Sequence, residues 1–210
     1  APIINSTIGA QVHNLSINES DGVTINSGGA LIVNGTSSGH VKYNQNLQTE
    51  NWYLVSSPVV DQTYNDAYIN ENEIASGQNN NKAIGSYQTD NDSWSYLQSG
   101  GSENFNSGTG YAVKRANGTG AGLIKFSGSL NTDNNGVNFI LSNQGNRFNL
   151  IGNPYPSYLN SLTFLENESA ISDTKTFWVW NQDLFKVSES DLPSDITPAQ
   201  LLNINPIIKE

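Results

Sequence analysis

Asn51-Trp52-Tyr53-Leu54-Val55-Ser56-Ser57-Pro58-Val59 is matched without a gap, 96 positions later, by Arg147-Phe148-Asn149-Leu150-Ile151-Gly152-Asn153-Pro154-Tyr155. In each copy an aromatic residue and an aliphatic pair fall on an extended segment, where side chains alternate between faces. A proline then ends it, because it has no N–H to give to a ladder. A second aromatic strand follows each copy: Trp94-Ser95-Tyr96 after the first and Trp178-Val179-Trp180 after the second. A duplication of this kind specifies architecture and no reaction.

Working outward, the chain from residue 47 reads as short strands joined by turns rich in Asn, Gly and Ser. The strands are expected at 51–56, 83–88, 93–98, 110–115, 122–130, 136–142, 147–152 and 176–181. Asn134-Asn135-Gly136 is a hairpin signal between Leu130 and Val137. Regular short strands with such turns predict an all-β fold, a β-sandwich or jelly-roll-like domain over 47–210. Its two related halves are about 47–130 and 131–210. Helix is scarce. Residues 64–75 and 158–170, at corresponding places in the halves, can each form a short helix or loop, and Pro198 can open one last turn.

Residues 1–46 keep a different rhythm. Leu15-Ser16-Ile17, Val23-Thr24-Ile25 and Leu31-Ile32-Val33 recur every eight residues between polar turns. Alternation within each triplet marks strand, and turns at fixed spacing predict a short β-solenoid-like segment with about three faces to a coil. Since roughly three repeats are needed to bury a continuous solenoid core, this segment is expected to stack on the following domain or to be the end of a longer solenoid. An ordinary antiparallel meander is the alternative.

Composition narrows the function. Only 13% of residues are charged, the net charge is −10, and four Trp, nine Tyr and seven Phe supply large apolar surfaces. Nine Lys plus Arg scattered along 210 residues form no basic patch, which argues against nucleic acid as a partner. No apolar run approaches the length of a membrane span, so no membrane insertion is expected. Cysteine is absent, which removes disulfides, thiolate metal sites and a thiol nucleophile. The opening Ala1-Pro2-Ile3 reads as a mature product whose signal peptide has gone. Seven Asn-x-Ser/Thr sequons reflect the composition.

Chemistry-bearing groups are few. Glu71 and Glu73 would share a strand face, and glycoside hydrolysis needs two carboxylates about 5–9 Å apart, but Asn70-Glu71-Asn72-Glu73 reads as a solvated loop. Asp90-Asn91-Asp92 offers the hard oxygens that calcium prefers, with Asp133, Asn131 and Asn134 as a second set. Asp and Asn are also ordinary turn residues. Asp90 and Asp92 are the metal candidates, with calcium the only cofactor entertained. His13 and His40 lack the partners of a metal triad or a nucleophile. Aromatic residues are the better candidates, since sugars stack on flat rings. Trp94 and Tyr96 share one face of their strand, as do Trp178 and Trp180. Repetition of the pattern in both halves favours the core for these pairs. Tyr155 and Tyr158, flanking Pro156, are expected to be exposed and ligand-facing.

The phrase Phe148-Asn149-Leu150-Ile151-Gly152-Asn153-Pro154-Tyr155-Pro156-Ser157, the solenoid-like run over 15–35, Trp52–Pro58 and Gly108–Tyr111 together resemble secreted and surface proteins of the Bacteroidetes, marine flavobacteria in particular. The resemblance spans most of residues 15–181 and implies a type IX-exported, cell-surface setting without naming an activity. Such repeats end in an aromatic strand and a sorting domain. This chain instead reads Leu201-Leu202-Asn203-Ile204-Asn205-Pro206 after Gln200, so the second half is expected to be incomplete, with an exposed strand edge open to self-association. The leading expectation is a non-catalytic scaffold, adhesion or carbohydrate-binding module of a larger secreted protein, its partner a polysaccharide or cell-surface glycan. An accessory or catalytic piece of a polysaccharide-degrading enzyme and a purely structural spacer are the alternatives.

Overall fold

The computed structural model describes residues 1–18, 22–132, 136–167, 177–180 and 204–209, the last two stretches as backbone. In chain order the strands are β1 Ile3–Ile4, β2 Gly9–Val12, β3 Leu15–Ser16, β4 Val23–Asn26, β5 Ala30–Val33, β6 Ser37–Ser38, β7 Val41–Leu47, β8 Trp52–Val55 and β9 Thr63–Asn65. After helix α1, Asp66–Glu71, come β10 Asn81–Gln88, β11 Ser93–Gln98, β12 Ser102–Asn104, β13 Tyr111–Lys114, β14 Gly122–Gly128 and β15 Phe148–Leu150. Helix α2, Ser161–Asn167, precedes β16 Phe177–Trp180 and β17 Ile204–Lys209. The fold is all-β, as the strand pattern predicts.

The first six strands make two stacked turns of three strands each. β1, β2 and β3 pair in parallel with β4, β5 and β6, so that Ile3 faces Thr24, Gly9 faces Ala30 and Leu15 faces Ser37. Polar side chains lock the stack at the corners. Asn26 Nδ2 donates to Asn5 Oδ1 at 2.9 Å and Asn44 Nδ2 donates to Asn26 Oδ1 at 2.9 Å, a ladder of three amides. Gly39 turns the second corner at φ +85, where a Cβ would run into the Ile17 carbonyl.

β7 joins this region to the rest. One edge continues the parallel stack against β4, and the other pairs antiparallel with β14 from Val41↔Gly128 to Leu47↔Gly122. The resulting sheet, β1–β4–β7–β14, faces a second four-stranded sheet, β11–β10–β13–β8, across one core. Ile25, Val41, Leu47, Ile124 and Phe126 from the first and Ile84, Leu97, Tyr111 and Val113 from the second are all buried in it. Burial alternates along β14 as an amphipathic strand requires. Tyr68 and Ile69 of α1 are buried in the same core, and Asn65 caps that helix by accepting from the Ala67 and Tyr68 amides at 3.0 and 3.1 Å.

The two copies of the repeated phrase use one device to stop. Ser57 Oγ accepts from Val59 N at 3.3 Å and Asn153 Oδ1 accepts from Tyr155 N at 3.0 Å, each side chain closing a turn over the proline that follows it. The copies also touch. Ser56 Oγ donates to the Asn153 carbonyl at 2.9 Å, and Gly110 N and Gly152 N reach the carbonyls of Leu150 and Gly108 at 3.1 and 2.9 Å. A Cβ on Gly152 would overlap that of Ser56. Gly152→Ala is therefore expected to cost about 1–3 kcal/mol in urea denaturation. Ser56→Gly in the same chain should return most of that loss, and no return would place the strain elsewhere.

The structure differs from the sequence expectations in two places. Residues 136–142 form no strand, and at the end of the segment the buried Asn149 amide takes up the Ser142 backbone: its Oδ1 accepts from Ser142 N at 2.8 Å and its Nδ2 donates to Ser142 O at 2.9 Å. After Gln200, where no partner strand is expected, β17 lies between β15 and β16 and is antiparallel to both. That order, β15–β17–β16, matches β8–β13–β10, with a helix after the first strand in each case. By this comparison β16 stands where β10 does, whereas β11, which carries Trp94 and Tyr96, pairs with β10 at the sheet edge.

Candidate functional site

The register of the β11–β10–β13–β8 sheet places Tyr96, Gly85, Ala112 and Leu54 side by side on one face, and Trp94 opposite Tyr87. The two central strands contribute only Gly85 and Ala112 to that row. The Tyr96 ring consequently lies down over Gly85, where a Cβ would come within 2.9 Å of its Cδ1. Its centroid is 5.8 Å from Trp52, which β8 presents opposite Lys114. On the other side Trp94 lies 6.3 Å from Tyr96 with its plane inclined only 22°, and Tyr87 packs edge-on against Trp94 at 5.4 Å.

Four rings, Tyr87, Trp94, Tyr96 and Trp52, thus run in series across the outer face of the sheet. Trp94 is 38% exposed and Trp52 36% exposed. The repetition argument that favours the core for Trp94 and Tyr96 is overturned here: the core side of β11 is Leu97, and the aromatic pair faces outward. Trp178 and Trp180 are described only as backbone. Tyr87 and Trp52 escape a reading based on one strand at a time, and the hairpin register is the signal that finds Tyr87.

Tyr87 also anchors the end of the series. Burial and donation to Asp92 Oδ1, at 2.9 Å, push its hydroxyl pKa up to about 12. Asp92, left-handed at φ 51, also accepts from Asn146 N at 3.0 Å, and Asp90 accepts from the Ser142 hydroxyl. These two carboxylates staple the β10–β11 turn to the 142–146 segment. Calcium asks for six to eight oxygens. Among the described residues no group of three or more His, Asp or Glu is gathered that could hold a metal. Asp133 and Asn134 lie outside the described residues.

The acidic pair is engaged elsewhere. Glu73 meets the buried Arg115 at 2.7 Å and Glu71 meets Lys125 at 3.4 Å, so the structure gives each carboxylate its own cation. His13 and His40 are exposed on the N-terminal turns. Tyr155 and Tyr158 line a cleft of about 760 Å³ together with Tyr43. Tyr158 is 77% exposed and its hydroxyl donates to Gly28 O at 3.2 Å, while Tyr155 is half-buried. The segment between them docks on the N-terminal turns, where Leu31 N donates to Pro156 O at 2.7 Å. Leu54, in one row with Tyr96 on the sheet, lines the same cleft.

A second, more polar pocket of about 470 Å³ opens beside Tyr87. Its walls include Gln88, Thr89, Glu103, Asn104 and Asn106. Tyr64, facing Glu103 across the β9–β12 ladder, donates its hydroxyl to Glu103 Oε2 at 2.5 Å. Burial and that bond push the Tyr64 pKa well above the ordinary phenol value. Glu103 sits on a short polar strand that carries no hydrophobic signal, which is why sequence reasoning passes over it.

Fold and surface together define an all-β protein in which parallel turns run into a mixed sheet that packs on an antiparallel sheet with an aromatic outer face. Among the described residues no helix is long and apolar enough to cross a membrane. The chain belongs to the domain family described as a domain of unknown function (DUF8693), which matches residues 3–193. No curated protein and no solved structure matches it.

Proposed function

We propose that this chain is a non-catalytic glycan-binding module of an exported surface protein, with the outer face of the β11–β10–β13–β8 sheet as its contact surface. The observation that carries the reading is the series of four rings from Tyr87 to Trp52, two of them tryptophans more than a third exposed. A pyranose has an apolar C–H face with slightly positive hydrogens, the complement of the negative face of an aromatic ring. Trp94 and Tyr96 are nearly parallel, inclined by 22° with centroids 6.3 Å apart, and an extended polysaccharide fits a line of rings better than a closed pocket. The acidic, lysine-poor composition suits an extracellular setting and gives no support to a nucleic-acid partner.

The test is affinity electrophoresis against a panel of soluble polysaccharides. Retardation by at least one polymer is expected. Trp94→Ala should weaken it at least tenfold, the effect of losing a central aromatic anchor, with the melting temperature preserved because Trp94 is a surface residue. Silence across the panel would favour a structural spacer, and release of reducing sugar would favour an enzyme.

A further inference from the structure

The polar pocket beside Tyr87 supplies what the ring series lacks, a charge. Glu103 is the one charged residue among those lining it. The Tyr64 hydroxyl fixes its Oε2 from within the core, where Tyr64 is buried. Glu103 itself is exposed, and among the described residues no lysine or arginine forms an ion pair with it, the ion pairs of those residues being Arg115–Glu73 and Lys125–Glu71. Around the carboxylate stand amides and hydroxyls, Gln88, Thr89, Asn104 and Asn106 among them, which suit a ligand dense in hydroxyl groups. Tyr87 is shared: it lines the pocket and packs against Trp94, but Ser86 and Tyr111, which also line the pocket, lie on the face of the sheet opposite the rings, so pocket and ring series meet only around the end of β10.

We propose that this pocket receives an amino sugar, its protonated amine against Glu103, and that a glycan reaching the ring series from it passes around the end of β10 at Gln88 and Thr89. The inference rests on the glycan-binding reading and names its ligand class. An oriented carboxylate with no cation partner among the described residues draws an ammonium group, and a protein of net charge −10 repels uronate and sulfate polymers. A charge-assisted hydrogen bond adds both affinity and selection for the charged sugar over its neutral analogue.

The experiment is calorimetric titration of the full chain with three probes: a β-linked glucosamine oligomer, its N-acetylated counterpart, and a uronate polymer. The free-amine oligomer is expected to bind about tenfold more tightly than the N-acetylated one, with the gap narrowing as salt is raised. Glu103→Gln, in which the amide oxygen can still accept from Tyr64, should erase the gap by weakening the free-amine oligomer. Tyr64→Phe should reduce the gap by freeing the carboxylate. Equal binding of the two oligomers, a preference that survives Glu103→Gln, or tighter binding of the uronate would overturn the inference. The ring-series reading would still stand if Trp94→Ala abolished whatever binding remained. Failure of every probe and of the wider polysaccharide panel would overturn both.

Discussion

Phe105→Ala is expected to remove about 3–5 kcal/mol of folding stability, the range for deleting a buried aromatic ring. Phe105 follows β12 in an otherwise polar stretch and is 3% exposed. Its centroid lies 4.6 Å from Tyr64, 4.8 Å from Tyr111, 5.2 Å from Phe126 and 5.4 Å from Tyr68. Those rings come from β9, β13, β14 and α1, so one side chain ties both sheets and the helix together. A domain stability of about 5–15 kcal/mol would lose a large share. Urea denaturation with an unchanged m-value is the measurement, and Phe105→Leu should retain much of what alanine loses. A wild-type midpoint for Phe105→Ala would sink the idea that this ring is the hub.

The second large effect is electrostatic. Arg115, at the end of β13, is 4% exposed. Its Nη2 meets Glu73 at 2.7 Å, and Nε donates to Gly120 O at 3.3 Å. The guanidinium fills the space over Gly122, where a Cβ would overlap it. Glu73→Ala is expected to cost about 3 kcal/mol, because the buried cation loses its counter-charge. Since Glu73 itself is half open to water, the figure belongs at the low end of the buried-pair range. The informative measurement is the double variant. Glu73→Ala with Arg115→Met should be more stable than Glu73→Ala alone, since an apolar chain of similar length has no charge to strand. If the double variant is the less stable of the two, the cost lies in packing and not in charge.

How far the sequence could be read depended on the range of the forces involved. Alternation and proline stops placed β8, β10, β11, β13, β14 and β15 within a residue or two, because side-chain alternation is local. The short helices over 66–71 and 161–167 lie inside the two segments named for them, and Asn65 and Asn160 supply the caps, Asn160 Oδ1 accepting from Thr163 N at 3.0 Å. What escaped depends on contacts across the chain. At the end of 136–142 the Ser142 backbone bonds to the buried side chain of Asn149 and not to a strand. The outward direction of Trp94 and Tyr96 comes from Gly85 and Ala112, small residues on other strands that make room for a ring. Glu103 became visible only when the β9–β12 ladder set it opposite Tyr64. Of the candidate ligand residues, Trp94 and Tyr96 belong to a four-ring surface, while Tyr155 and Tyr158 line a cleft beside the N-terminal turns.

β7 has a consequence for how the chain finds its fold. Its parallel partner, β4, is 18 positions away at every paired residue, whereas Val41 pairs with Gly128 on the other edge. Loop-closure entropy grows with the logarithm of the intervening length, so the short closure is the cheaper of the two. The turns built on Ile25 and Val41, however, bury their apolar residues in the same core as Ile124 and Phe126. An early parallel hydrogen-bonded stack would therefore be held in place only when the distant strand arrives. Such long-range pairing puts the chain among slow folders, in the millisecond-to-second range typical of non-local β topologies, and makes the arrival of β14 the event that commits the N-terminal turns to their final structure.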